Sequence, residues 1–525
     1  MSTPESGPLN NPIADHPGPA AGVLDTRFFG HPRGLSTLFF TEMWERFSYY
    51  GMRAILILFM TAAVTTGGLG FPTEKAGIVY GTYVAMVYLT ALPGGWLADR
   101  FLGQRKAVFW GGVVIMFGHI SLAIPSMLSF YVGLALVVIG TGLLKPNVSA
   151  MVGELYTPED RRRDAGFSIF YVGINLGAGL APLICGYLAQ SPAFRARLEG
   201  WGIAPENAWH WGFGAAAVGM ALGLIQYRWG WKHLGNAGMY PAAAESAEAA
   251  AKQKRQLVVG VGAVVGILAI TAVLGLTGTV RMTPEGIGIA TGYLLLATVV
   301  IFFGWLFTSG NWTRDERKRL VVIFVLFAAA AVFWSVFEQA GSTLNLFAER
   351  SSNNSVFGYA FPASWWQAVN SAFLILFSAV FAWLWVRLGS RDPSSPAKFS
   401  LGLFFVSISF VVMIGAANAA AGGNRVSPLW LLAVYFLQTI GELCLSPVGL
   451  SAMTRLAPSR IVGLMMGVWF LATSIGNYLG GRVASMYERF TLPTLFGAVA
   501  AYAMLFAVIL ALLIRPIKRM LSRQS

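Results

Sequence analysis

Leu35-Ser-Thr-Leu-Phe-Phe-Thr-Glu42-Met-Trp44-Glu45-Arg46-Phe47-Ser-Tyr49-Tyr50-Gly51-Met52-Arg53-Ala-Ile-Leu-Ile-Leu-Phe-Met60 is the stretch whose solvation decides the fold. As a helix it is long enough to cross the ~30 Å hydrocarbon core of a bilayer. Yet Glu42, Glu45, Arg46 and Arg53 lie within it, and a charge held in hydrocarbon costs at least about 2.5–3.5 kcal/mol. At 100° per residue these four, with Tyr49 and Tyr50, fall within an arc of about 140°, while Trp44, Phe47, Gly51 and Met52 occupy the other side. The polar arc runs about 16 Å along the axis. It must face a wet cavity or a neighbouring helix, not lipid. The plainer alternative is a self-neutralised ladder of ion pairs that only holds a bundle together. Both readings require other helices around it.

The rest of the chain supplies them. Of 525 residues, 56% are hydrophobic and 11% charged, against about 25% charged in a soluble domain. Lipid is therefore the expected solvent for most of the surface. The net charge of +14 sits in short clusters between apolar runs, without a continuous basic face, which argues against nucleic acid as a partner. Cys185 and Cys444 each lie inside an apolar run and read as small hydrophobes, not as a disulfide or metal pair. No lysine precedes Ser or Thr, so there is no phosphate-binding loop of the ATP-driven kind. A nucleophile with its base, or a metal cluster, is likewise missing from the pattern, so the chain reads as neither an enzyme nor a cofactor binder.

Apolar runs of about 20 residues predict fourteen transmembrane helices, near 35–64, 76–99, 106–125, 129–153, 165–189, 209–229, 257–277, 286–308, 319–348, 363–388, 398–421, 427–452, 460–487 and 491–515. With the N-terminus inside, twenty basic residues fall in internal loops, among them Arg161 to Arg163 and Arg314 to Arg319, against eight in external ones. That asymmetry puts both termini in the cytoplasm. Residues 1–26, rich in Pro, Gly and Ala, are expected to be a disordered cytoplasmic tail and not a signal peptide.

Three short patterns recur in the same order about 290 residues apart. Trp44-x-x-Phe47-x-x-x-Gly51 returns as Trp334, Phe337 and Gly341; Trp96-Leu97-x-x-Arg100 as Trp383, Leu384 and Arg387; and Ile139-Gly140 with Pro146 as Ile440-Gly441 with Pro447. They pair the first, second and fourth spans with the ninth, tenth and twelfth. The expected architecture is an all-α membrane protein of the major facilitator superfamily fold: two six-helix bundles, at 27–230 and 319–516, joined by a 231–318 linker that carries two extra spans, with a tail at 517–525. The inserted pair is expected to be a lipid-facing scaffold. Gly95-Trp-Leu-Ala-Asp99-Arg100-Phe-Leu-Gly103-Gln-Arg105-Lys106 resembles that superfamily's loop between its second and third helices. Asp99 and Arg100 either only set topology or also brace a cytoplasmic gate.

Other intramembrane charges point inward too. Lys145 precedes Pro146 in the fourth span, and its buried ammonium needs a carboxylate partner. The ninth span sets Trp334, Glu338, Gly341, Ser342 and Asn345 on one stripe; the twelfth sets Gln438, Glu442 and Ser446 at i, i+4 and i+8. Acids from both halves and bases from the first suit a zwitterionic cargo, and an intramembrane carboxylate is a natural proton carrier.

At these residues the sequence resembles the proton-dependent oligopeptide transporter family. The resemblance rests on Glu42-x-x-Glu45-Arg46-Phe47-Ser-Tyr49-Tyr50-Gly51, on Phe167-Ser-Ile-Phe-Tyr-Val-Gly-Ile-Asn175-Leu-Gly177, on Phe333-Trp334 to Glu338-Gln339, on Gly441-Glu442 with Ser446-Pro447, and on the Trp469 segment. It spans roughly 35 to 515, with the inserted helix pair typical of bacterial members. The resemblance implies a symporter that imports di- and tripeptides with protons by alternating access in the cell's inner membrane, working as a monomer. A proton-coupled drug or metabolite transporter on the same fold is the alternative. It further implies that Glu442, Asn175 and Asn370 hold a peptide's amino terminus, and that Arg46 and Lys145 hold its carboxylate. Tyr50, Tyr88 (or Tyr83), Trp334 and Trp469 would form side-chain pockets, with Ser446 on the same wall. Glu42, Glu45 and Glu338 would carry or sense the proton, with Arg53 or Lys145 as the partner of Glu338. Ser371 stands where the family usually has proline after the tenth-span asparagine, which leaves the bend of that helix open.

Overall fold

The computed structural model describes residues 26–157, 160–241, 246–277, 283–308 and 311–522. Apart from a small hairpin of β1 (Ser355–Val356) and β2 (Tyr359–Ala360), its regular structure is helical. Each expected span has its helix: Gly34–Thr61; Thr73–Leu89 with Ala91–Leu97; Gln104–Leu122; Met127–Glu154; Arg163–Gln190; Ala208–Gly230; Ala247–Leu276; Pro284–Thr308; Arg314–Phe337 with Thr343–Ser351; Trp366–Leu388; Ser395–Ala419; Leu429–Leu456; Met465–Ser485; and Leu492–Ser522. They are numbered one to fourteen in that order. Among the described residues, ten helices are long and apolar enough to cross a membrane by themselves. The first span is not one of the ten, and its four charged residues are all buried.

Contacts repeat under the pairing of span n with span n+8. The first packs on the fifth and sixth, and the ninth on the thirteenth and fourteenth; the third packs on the fourth and sixth, and the eleventh on the twelfth and fourteenth. The halves meet along two seams that are each other's counterparts, the second span against the thirteenth and the tenth against the fifth. Small residues allow that approach, as is usual where helices pack without a hydrophobic drive between them. A Cβ built on Gly81 would stand 2.6 Å from the Gly481 Cα.

Two spans are broken. In the second, Pro93 lacks the N–H that would reach Leu89 and its ring crowds that carbonyl, so the helix interrupts at Thr90, whose hydroxyl donates to Met86 O (2.9 Å) and Val138 O (3.0 Å). In the ninth, Glu338–Gly341 forms a 3₁₀ turn and Ser342 is non-helical (φ −129°, ψ −88°). The expected stripe from Trp334 to Asn345 is thus not one continuous helix face. Residues of the first half press close to this turn: a Cβ on Gly341 would stand 1.9 Å from the Tyr80 hydroxyl and 2.7 Å from Arg53 Nε.

Three boundaries differ from expectation. Pro192–Gly200 is an extra short helix after the fifth span. The segment after residue 230 belongs with the first bundle, because Arg105 donates to Gly235 O (2.7 Å) and Ala237 O (2.9 Å), and Glu154 accepts from Gly238 N (2.7 Å). The last helix runs through Pro516 to Ser522, taking in most of the expected 517–525 tail. Residues 1–25 of the expected N-terminal tail, and 523–525, lie outside the described residues.

Candidate functional site

Between the halves lies a chamber of about 370 Å³. Thirteen residues expected at the site line it: Glu42, Arg46, Tyr50, Arg53, Tyr88, Lys145, Asn175, Trp334, Glu338, Asn370, Glu442, Ser446 and Trp469. Glu45 is fully buried beside Arg46, off the chamber wall. Tyr88, and not Tyr83, faces the cavity. The polar arc of the first span, Glu45 and Tyr49 apart, therefore borders a cavity.

Arg46 binds both acids of its own helix. Its Nε donates to Glu45 and stands 3.2 Å from Glu42 Oε1, one helical turn away. Two carboxylates around one guanidinium leave the group an acid in excess. One oxygen of each acid and Arg46 Nη2 are buried with no protein partner, so the cluster's hydrogen-bonding capacity is not used up by its internal pairs.

Arg53, two turns further along, crosses to the other half. It pairs with Glu338 (2.5 Å), reaches the Glu338 carbonyl at 3.3 Å and donates from Nε to the Tyr80 hydroxyl at 2.8 Å. Of the two partners expected for Glu338, Arg53 is the one present. Lys145 departs from expectation. Its ammonium lies 3.8 Å from the Tyr88 ring centroid and 5.7 Å from that of Phe470, and it makes no ion pair among the described residues. A desolvated cation on an aromatic face gains about 2 kcal/mol, which takes the place of the expected carboxylate.

On the second half, Asn370 donates to Glu442 Oε2 (3.2 Å) and to Thr439 Oγ1 (3.0 Å), so one amide orients the acid against its own helix. Ser371 is buried within an unbroken Trp366–Leu388 helix, so this span runs straight through the position in question. Asn175 donates to Tyr171 O (3.0 Å). The Trp334 and Trp469 rings meet edge to face, with centroids 6.2 Å apart. Gln438 lines the chamber on the Glu442 stripe where the spacing put it, and Tyr171, Gln367 and Thr473 also line it without having been expected there. Each of these three sits one helical turn from an expected residue (Asn175, Asn370 and Trp469), so helical spacing alone could have found them.

The chamber is sealed at the end away from the termini. Beyond Arg53–Glu338, Asn345 donates to Ala54 O (2.7 Å) and Gln367 to the same carbonyl (3.3 Å). Two consecutive residues of the Thr343–Ser351 helix then bond opposite seams. Glu349 accepts from Gln190 of the fifth span (3.2 Å), and Arg350 donates to Thr73 of the second (3.0 Å). Glu488, between the last two spans, accepts from both Thr73 (2.5 Å) and Arg350 (2.8 Å), and these bonds hold its carboxyl below the ordinary value. At the termini end a vestibule of about 570 Å³ shares Ser149, Met466 and Phe470 with the chamber. Asp99 and Arg100 line this vestibule and are exposed. Asp99 accepts only a long bond from Gln104 (3.4 Å), and neither residue pairs with the second half among the described residues.

Comparison with known proteins gives a consistent result. A sequence model described as the POT family matches residues 105–502. A peptide transporter of Yersinia enterocolitica subsp. palearctica is 40% identical over 510 residues, covering 94% of this chain and 96% of that protein. A di-/tripeptide transporter of Lactococcus lactis subsp. cremoris is 38% identical, covering 94% and 97%. Among solved structures, that of a peptide transporter POT in complex with sulfate superposes with a TM-score of 0.85 at 43% identity, over 96% of this chain and 98% of that one.

Proposed function

The chain belongs to the POT family, and from that premise we propose that it imports di- and tripeptides together with protons by alternating access. One observation carries the cargo reading. The second-half wall offers Glu442 with Asn370, and the first-half wall offers Arg46 and Lys145, inside a single chamber. A free peptide has an ammonium for the acid and a carboxylate for the bases, while its side chains meet Tyr50, Tyr88, Trp334 and Trp469. Lys145, resting on an aromatic ring without a carboxylate, is the base most ready to take the cargo's own.

Proton coupling follows from the two acidic clusters. A proton arriving on a Glu338 carboxylate oxygen neutralises it and ends its attraction for Arg53, which loosens the far seal. The Glu42/Glu45 pair can accept a proton and still leave Arg46 one charged partner. Peptide binding draws the halves together, and loss of the proton on the other side restores the Arg53–Glu338 bond. The electrical driving force of about 2.3 kcal/mol per proton per 100 mV supports roughly fifty-fold accumulation at that voltage. In this reading both termini are cytoplasmic, the membrane is the cell's inner membrane, and the chain works as a monomer.

The test is uptake of labelled dialanine into liposomes, with and without an acid-outside gradient. Uptake that the gradient accelerates, and that unlabelled di- and tripeptides compete away, supports the proposal. Uptake indifferent to the gradient removes the coupling, and absence of peptide competition removes the cargo.

A further inference from the structure

The inserted eighth span is not a lipid-facing bystander. Its buried or partly buried positions Gly288, Thr291, Leu295, Thr298, Phe302 and Leu306 recur at helical spacing, while Leu296, Val300 and Ile301 between them are exposed. The inward stripe touches three things in turn. Near its start, a Cβ on Gly288 would come within 2.6 Å of Ile78 in the second span, and one on Gly292 within 2.3 Å of the Tyr478 hydroxyl in the thirteenth. The helix is thus notched onto the seam where the two halves meet. Near its end, Phe303 packs edge-on against Phe324 and tilted against Phe327 of the ninth span, both at 4.9 Å between centroids. Between these two anchors Thr298 and Phe302 line the vestibule, alongside Leu92 of the second span and Gly467 of the thirteenth.

The geometry points to a lateral wall: the eighth span closes the side of the vestibule between the second and thirteenth spans, and Thr298 and Phe302 form part of the surface over which cargo leaves the chamber. The physical reason is that the two seam helices pack closely at Gly81 and Gly481 but must diverge towards the termini end for the vestibule to exist. A gap there would admit acyl chains to a passage that has to stay wet, because exposed polar groups on a peptide cannot cross hydrocarbon without losing their water. A helix fixed to both halves fills the gap without belonging to either. The inference rests on the reading that cargo leaves by this vestibule, so its test has one arm that does not depend on cargo.

That arm is cysteine labelling. In a Cys185→Ala, Cys444→Ala background, Thr298→Cys and, separately, Val300→Cys are exposed in inside-out membrane vesicles to a charged, membrane-impermeant thiol reagent. Thiols react as thiolates and need water to do so. Thr298→Cys should label at least about tenfold faster than Val300→Cys, whose position is exposed and lies about 160° away around the same helix. Equal rates overturn the wall. In the second arm, labelled Thr298→Cys protein should lose peptide uptake while the unlabelled variant keeps it. Full uptake after complete labelling overturns the exit route, and the unlabelled control shows in the same assay whether peptide transport itself stands.

Discussion

Glu338→Gln removes one charge from the pair that ties the first span to the ninth and leaves the side chain's volume and shape in place. Both partners are nearly sealed from solvent, with side-chain exposures of 6% for Arg53 and 5% for Glu338. Removing one member of such a pair costs about 3–5 kcal/mol, because the other charge is left buried and uncompensated. The glutamine carbonyl still accepts from Arg53, so the lower end applies, about 3 kcal/mol. That cost falls on the sealed conformation alone, since Arg53 in an opened cleft is hydrated. The equilibrium therefore moves towards far-side opening by about a hundredfold. Hydrogen exchange of the Thr343–Ser351 amides reads that opening, because exchange through a rapid pre-equilibrium scales with the open population. The expected result is exchange faster by about two orders of magnitude there, with little change in the Gly402–Gly441 contact between the eleventh and twelfth spans. Concentrative uptake should be lost while peptide exchange at equal concentrations persists. Unchanged exchange at 343–351 together with intact concentrative uptake would refute the reasoning.

Three further outcomes are expected. Lys145→Gln should raise KM for dialanine by about ten- to a hundredfold, the worth of a charge-assisted hydrogen bond of about 1.5–3 kcal/mol. It should leave the already weak binding of the C-terminally amidated dipeptide unchanged, and inhibition constants for the two compounds check this directly. Glu488→Gln should loosen the far seal, seen as faster exchange at 343–351, without altering the shape of the uptake profile between pH 5 and 8. The carboxyl is held below its ordinary value of 4.5, first by Thr73 and then by Arg350, so its contribution is fully present above that value and fades only as pH falls through the lowered one. A profile that shifts in this range would make Glu488 a coupling group. Gly81→Leu should strain the seam against Gly481 by about 1–3 kcal/mol, visible as a lower unfolding temperature of the purified protein in detergent.

Much of the site was legible because a charge in a membrane helix has few explanations. The spacing of Glu42, Glu45, Arg46 and Arg53 already fixed a polar face, Glu442 lies where helical rotation puts it, and Asn370 lies on the same chamber as the family resemblance implied. What escaped the sequence depended on contacts between distant segments. Gly341 reads as one more small residue until Tyr80 and Arg53 are seen against it, and only then does the lack of a side chain at the break in the ninth span have a reason. Lys145 was expected to find an acid, yet Tyr88 supplies an aromatic face that no spacing rule registers. The short helix at Pro192–Gly200, with only Phe194 and Leu198 buried, is too brief and too polar to stand out from a loop. The inserted eighth span looked uniformly apolar because a wall that faces lipid on one side and an apolar seam on the other has nearly the same composition all round.

Glu349 and Arg350 are neighbours on one helix, so their side chains leave its axis about 100° apart. One grips the fifth span and the other the second. The angular phase of this stub is consequently fixed with respect to both flanks at once. Adding or deleting a single residue between Ser342 and Glu349 would turn the pair by a further 100° and unhook both flanks together. Point substitutions can retune either grip, but the number of residues separating hinge from tip is not free to drift.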